Sequence, residues 1–290
     1  MTRQSIAIAA LLTGLLLLAL PGLCFSTDDR FSPPDTLYPD TTRFVIANAE
    51  FTLFHEMGHL LIHELGIPVL GNEEDAADHL GFMGLFLMHD GHRDNGFYAR
   101  LMDVADYWRL EWERSEQGIN PVREWDRHAL DSQRFFNLAC LIYGSAPDEL
   151  EWVVQVTGLP EERAFYCDEE YDQVYYAVDW FRDHYGRPNN DSPEHTIDVI
   201  YDPPPTLIED GKALRDRVRE SGRLEQVADR ASRGFALPRD VTIRVTGCGE
   251  PSAWYNRTVG EITLCYELFD YFRSLAMELE RIRDPALQQE

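Results

Sequence analysis

Residues 43–65 constrain this chain more than any other stretch. From Arg43 to Leu65 the sequence is apolar on nearly every helical side, with Phe44, Val45, Ile46, Phe51, Leu53, Phe54, Leu60, Leu61, Ile62 and Leu65. A helix that is apolar all round is a buried one. Asp40, Thr41 or Thr42 can cap its start, and Gly66 followed by Pro68 marks its end. Its middle nevertheless carries His55, Glu56 and His59. Buried imidazoles and a buried carboxylate are costly unless they are paired or bound to metal. His55 and His59, at i and i+4, share one face a single turn apart. Two neutral rings so placed both reach a zinc ion at roughly 2.0–2.1 Å. Glu56 then stands beside the cation without binding it, where it can take a proton from a zinc-activated water. A pair of hydrogen-bonded core histidines is the competing explanation.

A catalytic zinc often takes two histidines and a glutamate, so a third ligand is needed. After the turn at Gly66–Gly71 comes Asn72-Glu73-Glu74-Asp75-Ala76-Ala77-Asp78-His79. Asn72 is a plausible N-cap, which makes the acidic run the first turn of a second helix. Glu74 and Asp78 then share a face. The pattern resembles the gluzincin signature, H-E-x-x-H followed by E-x-x-x-D on the next helix. The resemblance implies His55, His59 and Glu74 as metal ligands, Glu56 as general base, and Asp78 as the carboxylate that orients His55. A carboxylate behind a ligating histidine fixes its tautomer and raises its basicity. Glu73 and Asp75 also suit an acidic first turn through the helix dipole, and both stay as alternative ligands.

Residues 1–26 read as a secretory signal: Arg3 is basic, Ile6 to Leu20 is apolar, and Cys24-Phe25-Ser26 precedes a cleavage point. Export to a periplasmic or extracellular compartment is expected, with an uncleaved N-terminal anchor as the alternative. Removal of the signal leaves Cys140, Cys167, Cys248 and Cys265. Four cysteines allow three pairings. The local one, Cys140–Cys167 with Cys248–Cys265, is preferred. Each bridge stabilises by about 3 kcal/mol in the chain-entropy model. Zinc binding by the cysteines is the other option, and no C-x-x-C spacing favours it. The formal charge of −25 argues against nucleic acid or an anionic membrane as partner. No stable membrane insertion is expected once the signal is gone.

Residues 27–42, with Pro33, Pro34 and Pro39, read as an extended arm ahead of one domain over 43–290. Its helical part spans 43–186 and its strand-containing part 195–285. Helices are expected from Phe97 to Ser115, from about Asp126 to Tyr143, and from Pro160 to about Tyr185. Ahead of the first of these, His89 and His92 lie in a polar loop, where metal ligation competes with simple solvation. His128 and Arg134 are candidates to reach the cleft and stabilise an oxyanion, against capping or salt-bridging their own helix. Thr196–Tyr201 reads as a strand, Leu207 to about Ala236 as helix, and Val241–Val245 as an alternating strand. Short strands flank a turn at Trp254–Asn256 and Ile262–Leu264. A last helix runs from Leu264 to about Ile282.

The run Cys248-Gly249-Glu250-Pro251-Ser252-Ala253-Trp254-Tyr255 with Glu261 to Leu268 resembles a segment that many zinc peptidases carry upstream of H-E-x-x-H. There a short strand lines the cleft and holds substrate by strand addition. Here it lies downstream, which implies a circularly permuted zincin whose C-terminal strands return to flank the metal helix. Tyr255 or Tyr266 would polarise the scissile carbonyl, and Glu267 is an outlying ligand candidate.

Taken with the metal motif, the Glu73–Asp78 run and the Cys140 helix, residues 40–280 resemble a bacterial family described as putative metallopeptidases. The implied fold is α+β, mostly helical and zincin-like. The implied activity is peptide hydrolysis by one Zn2+ per chain, on a substrate that the sequence does not identify. A non-catalytic binding module and a metal-dependent hydrolase of non-peptide substrates are the alternatives.

Overall fold

The computed structural model of this chain describes residues 40–89, 93–120, 122–187 and 192–283. The expected signal at 1–26 and the arm to residue 39 lie outside them, as does His92. Ten helices and four strands follow in order among the described residues.

Helix α1 (Thr41–Leu65) is the axis of the fold. Asp40 caps it by accepting from the Arg43 amide at 2.8 Å. Gly66 ends it at φ 65°, a left-handed conformation that glycine adopts without cost. Helices α2 (Glu73–Met88) and α3 (Asn95–Glu116) cover one side of α1, with α4 (Asp131–Gly144) packed on α3, and α5 (Glu151–Thr157), α6 (Glu161–Ala164) and α7 (Cys167–Tyr185) on α4. Ala47 and Phe51 of α1 join that core with Phe82, Phe86, Leu101, Trp108 and Phe135. On the other side, Phe44, Leu53, Met57 and Leu60 meet the sheet and helices α8 (Gly211–Ser221), α9 (Arg223–Gly234) and α10 (Tyr266–Arg283). This explains why α1 is apolar all round: it is a wall of two cores at once.

The sheet runs β1 (Ile197–Tyr201), β2 (Val241–Thr246), β4 (Glu261–Cys265), β3 (Ala253–Asn256). The first two pairings are parallel and β3 is antiparallel to β4. β3 is therefore an edge strand, and it packs against α1. In β2, Val241, Ile243 and Val245 face the core while the residues between them are half-buried, the period-2 pattern of a strand. The fold is α+β and mostly helical, as the sequence leads one to expect.

Several element boundaries differ from the sequence reading: α1 begins at Thr41, inside the stretch read as an arm, and the last helix at Tyr266 rather than Leu264, because Leu264 and Cys265 belong to β4. The helix expected from Asp126 begins at Asp131. The Asp126 carboxylate instead accepts from the His128 amide at 3.0 Å, a local turn that competes with helix, and Leu130 is extended. The helix expected over 160–185 is broken before Cys167, where the chain meets α4 through the Cys140–Cys167 disulfide. The helix expected from Leu207 starts only at Gly211 and is split at Gly222, which sits at φ 64°. The second disulfide joins Cys248 to Cys265. None of the described helices is long and apolar enough to cross a membrane.

Candidate metal centre

Two helices packed closely together build the site. A Cβ added to Gly58 of α1 would lie 3.0 Å from the Ala77 Cα of α2, and one added to Gly81 would lie 3.4 Å from the His55 amide. The missing side chains let the α2 backbone settle on α1. Asn72 caps α2 by accepting from the Glu74 amide. This holds the acidic first turn over the histidine face of α1.

The result is a convergence on one oxygen. Glu74 Oε2 lies 3.1 Å from His59 Nε2, 3.4 Å from His55 Nε2 and 3.1 Å from His128 Nε2. Arg127 Nη2 reaches the other oxygen, Oε1, at 3.2 Å. Behind the rings, each Nδ1 meets a carboxylate: His55 on Asp78 at 2.9 Å, His59 on Glu73 at 2.7 Å, His128 on Asp126 at 3.1 Å. Asp78 also accepts from Arg134 Nη2 at 2.5 Å, and the Arg134 guanidinium stacks 3.5 Å from the Trp108 ring centre. Glu73 takes a second histidine, His63, at 3.0 Å.

The electrostatics favour positive charge at this point. Hydrogen bonds from His128, His55 and His59 hold the Glu74 carboxyl far below its usual range. Burial opposes charge on His59, but Glu74 and Glu73 outweigh it and push the ring up to about 9. His55 is raised in the same way against its burial by Asp78 and Glu74. Glu56, buried beside them, is pushed up chiefly by desolvation, while the two histidines and the Tyr255 backbone amide pull it down.

The donor chemistry fits a metal ion. An Nδ1–H bound to a carboxylate leaves Nε2 with a bare lone pair in the neutral ring. Three such lone pairs facing one carboxylate oxygen repel it unless every ring is protonated or one cation sits among them. His55, Glu74 and His128 present ligand atoms within 4.8 Å of one another. These three could hold an ion together, and His59 Nε2, 3.1 Å from Glu74 Oε2, stands beside them.

The other candidates have other partners. Asp75 is exposed at the surface. The Tyr255 hydroxyl donates to Glu64, with Arg239 beside it. Tyr266 is fully buried and donates to the Asp202 carbonyl at 2.7 Å. Glu267 accepts from the Cys248 and Gly249 amides, and its cysteine neighbours are in a disulfide. His89 caps α2 and lies 3.7 Å from the buried Glu50. Sequence reasoning missed His63 and Arg127; one more turn along the α1 face signals His63, and nothing local signals Arg127.

The fold is mostly helical α+β, and it sets the H-E-x-x-H residues of α1 beside Glu74 and His128, with His55, Glu74 and His128 placed so that they could hold a metal ion. Residues 24–181 and 202–289 match the family described as "putative metallopeptidase", and the chain belongs to that family. No protein of curated function and no solved structure matches it.

Proposed function

We propose that this protein is an exported zinc-dependent peptidase of the gluzincin type. The observation that carries the reading is the convergence of the His55 and His59 Nε2 atoms on Glu74, with Glu56 buried alongside. Bound zinc supplies Lewis-acid polarisation of the scissile carbonyl and acidifies the attacking water. Glu56 accepts the water proton and passes it to the leaving amine. Burial raises its pKa, which makes it a stronger base than a solvated carboxylate. Asp78, backed by Arg134, and Glu73 hold the two imidazoles in the tautomer that offers Nε2.

Substrate backbone adds to β3. The Cys265 amide bonds to the Ser252 carbonyl, and antiparallel ladders alternate bonded and unbonded pairs. This phase turns the backbone groups of Ala253 and Tyr255 away from β4. The Tyr255 amide is taken by Glu56, and Ala253 offers its own to an extended peptide. That arrangement supports the permuted zincin reading. Export accords with two disulfides, which persist in oxidising compartments.

The test is zinc content and hydrolysis of a peptide library by the mature protein beside Glu74→Ala and Glu56→Gln. About one zinc per chain is expected in wild type and in Glu56→Gln, and loss of zinc in Glu74→Ala. Glu56→Gln should lose hydrolysis by roughly 10²–10⁴-fold. A folded wild type without zinc would overturn the reading.

A further inference from the structure

We propose that His128 is a fourth protein ligand of the metal centre, one that closes it at rest and withdraws to open it. The inference rests on the metal reading above and goes beyond it. His128 Nε2 lies 3.1 Å from Glu74 Oε2, against 3.1 Å for His59 and 3.4 Å for His55. Ligands spaced tetrahedrally around zinc at roughly 2.0–2.1 Å stand about 3.3 Å apart. Each of the three nitrogen–oxygen separations is thus that of a ligand pair. The Asp126 carboxylate sits on His128 Nδ1 as Asp78 and Glu73 sit on the other two rings. A carboxylate behind the ring is what a metal-ligating imidazole has.

What differs is the element that carries the ring. His55 and His59 sit on a buried helix. His128 sits in the stretch 122–130, which forms neither helix nor strand, and its side chain is 45 % exposed against 8 % for His55. The stretch docks on the start of α2, where Asn72 donates to the Arg127 carbonyl and Arg127 reaches Glu74. His128 also lines a cavity of about 630 Å³, shared with Trp108, Trp112 and Arg123. The ring is thus bordered by open space as well as by the centre.

Four protein ligands close a zinc shell, whereas catalytic sites keep one position open. With His128 in place the centre is a holding site. With His128 withdrawn it gains an open position beside Glu56.

Cobalt(II) in place of zinc reads this directly, because its visible absorption reports coordination number. The wild type should bind cobalt with the strong absorption of a four-coordinate ion and be insensitive to azide. His128→Ala should bind cobalt at least ~10-fold more weakly, show the weaker bands of a solvent-ligated ion and shift on azide addition. Asn72→Ser, which keeps a capping oxygen for α2 and removes the amide that donates to the Arg127 carbonyl, should keep the four-coordinate bands yet respond to azide. Unfolding midpoints confirm that each variant folds. Equal cobalt affinity and equal spectra in wild type and His128→Ala would overturn the proposal and leave His128 as a substrate contact. A folded wild type that binds no cobalt would overturn the metal reading itself.

Discussion

Arg134 donates to the same Asp78 oxygen that faces His55 Nδ1, at 2.5 Å and 2.9 Å. The metal helix is thereby tied through a buried carboxylate to α4, which holds no ligand of its own. Both charged side chains are 8 % exposed. Removing one partner of a buried pair costs about 3–5 kcal/mol. Arg134→Met should lower stability by that amount in urea unfolding. Asp78→Asn should weaken zinc binding by roughly 10–100-fold in chelator competition, with Glu56 untouched.

Tyr255 separates a structural from a catalytic tyrosine. Its hydroxyl is held by Glu64 and Arg239, and only its backbone faces Glu56. Tyr255→Phe should cost about 1 kcal/mol of stability, the usual worth of a hydrogen bond. Peptidase turnover should stay within a few-fold of wild type. A turnover loss on the scale of ~10²–10³, that of a missing oxyanion donor, at unchanged zinc content would place the hydroxyl on the scissile carbonyl instead.

The α1–α2 contact predicts a mutation whose effect reaches the metal without touching a ligand. Gly58→Ala puts a methyl 3.0 Å from the Ala77 backbone, tight enough that α2 must give by a fraction of an ångström. Overpacking of this kind costs about 1–3 kcal/mol. Because Glu74 and Asp78 ride on α2, zinc affinity should fall together with the thermal midpoint. Titration of the variant with zinc, beside its melting curve, checks both.

The centre also sets how stability depends on pH. In the metal-free protein His59 is raised to about 9 from 6.5. Its contribution is fully present below 6.5 and is lost as pH rises through about 9. Glu74 is lowered from 4.5, so its contribution is present above 4.5 and is lost on acidification. For these two groups metal-free stability is greatest between 4.5 and 6.5 and declines towards 9. Bound zinc needs neutral imidazoles, so zinc should abolish the alkaline decline. Thermal denaturation with chelator or with zinc, at about pH 6 and about pH 9, compares the two.

The centre was legible in the sequence where its geometry is local. His55, Glu56, His59, Glu74 and Asp78 lie on two consecutive helices, so helical period and one cap define their faces. His128 was legible as a residue that could reach the cleft, but not as part of a loop. The Asp126 side chain captures the His128 amide, and a helical pattern that runs on through residue 126 hides that turn. Arg127 had no signal at all, because its place depends on Asn72 holding its carbonyl. The strands followed from alternation, but their order did not. Nothing local dictates that β4 inserts between β2 and β3 and so leaves β3 at the edge beside α1.

Thr41, in the first turn of α1, donates to Glu280 near the end of α10 at 2.8 Å. Phe44, Leu53 and Leu60 of that first helix share a core with Ile262, Phe269 and Leu279. Among the described helices α1 is therefore synthesised ahead of the others and is among the last to be covered. Until Leu279 has been made, α1 has a large part of its packing surface without a partner. A chain cut short before α10 would keep the whole H-E-x-x-H sequence and still present that surface to water, so its failure would be aggregation rather than loss of the motif.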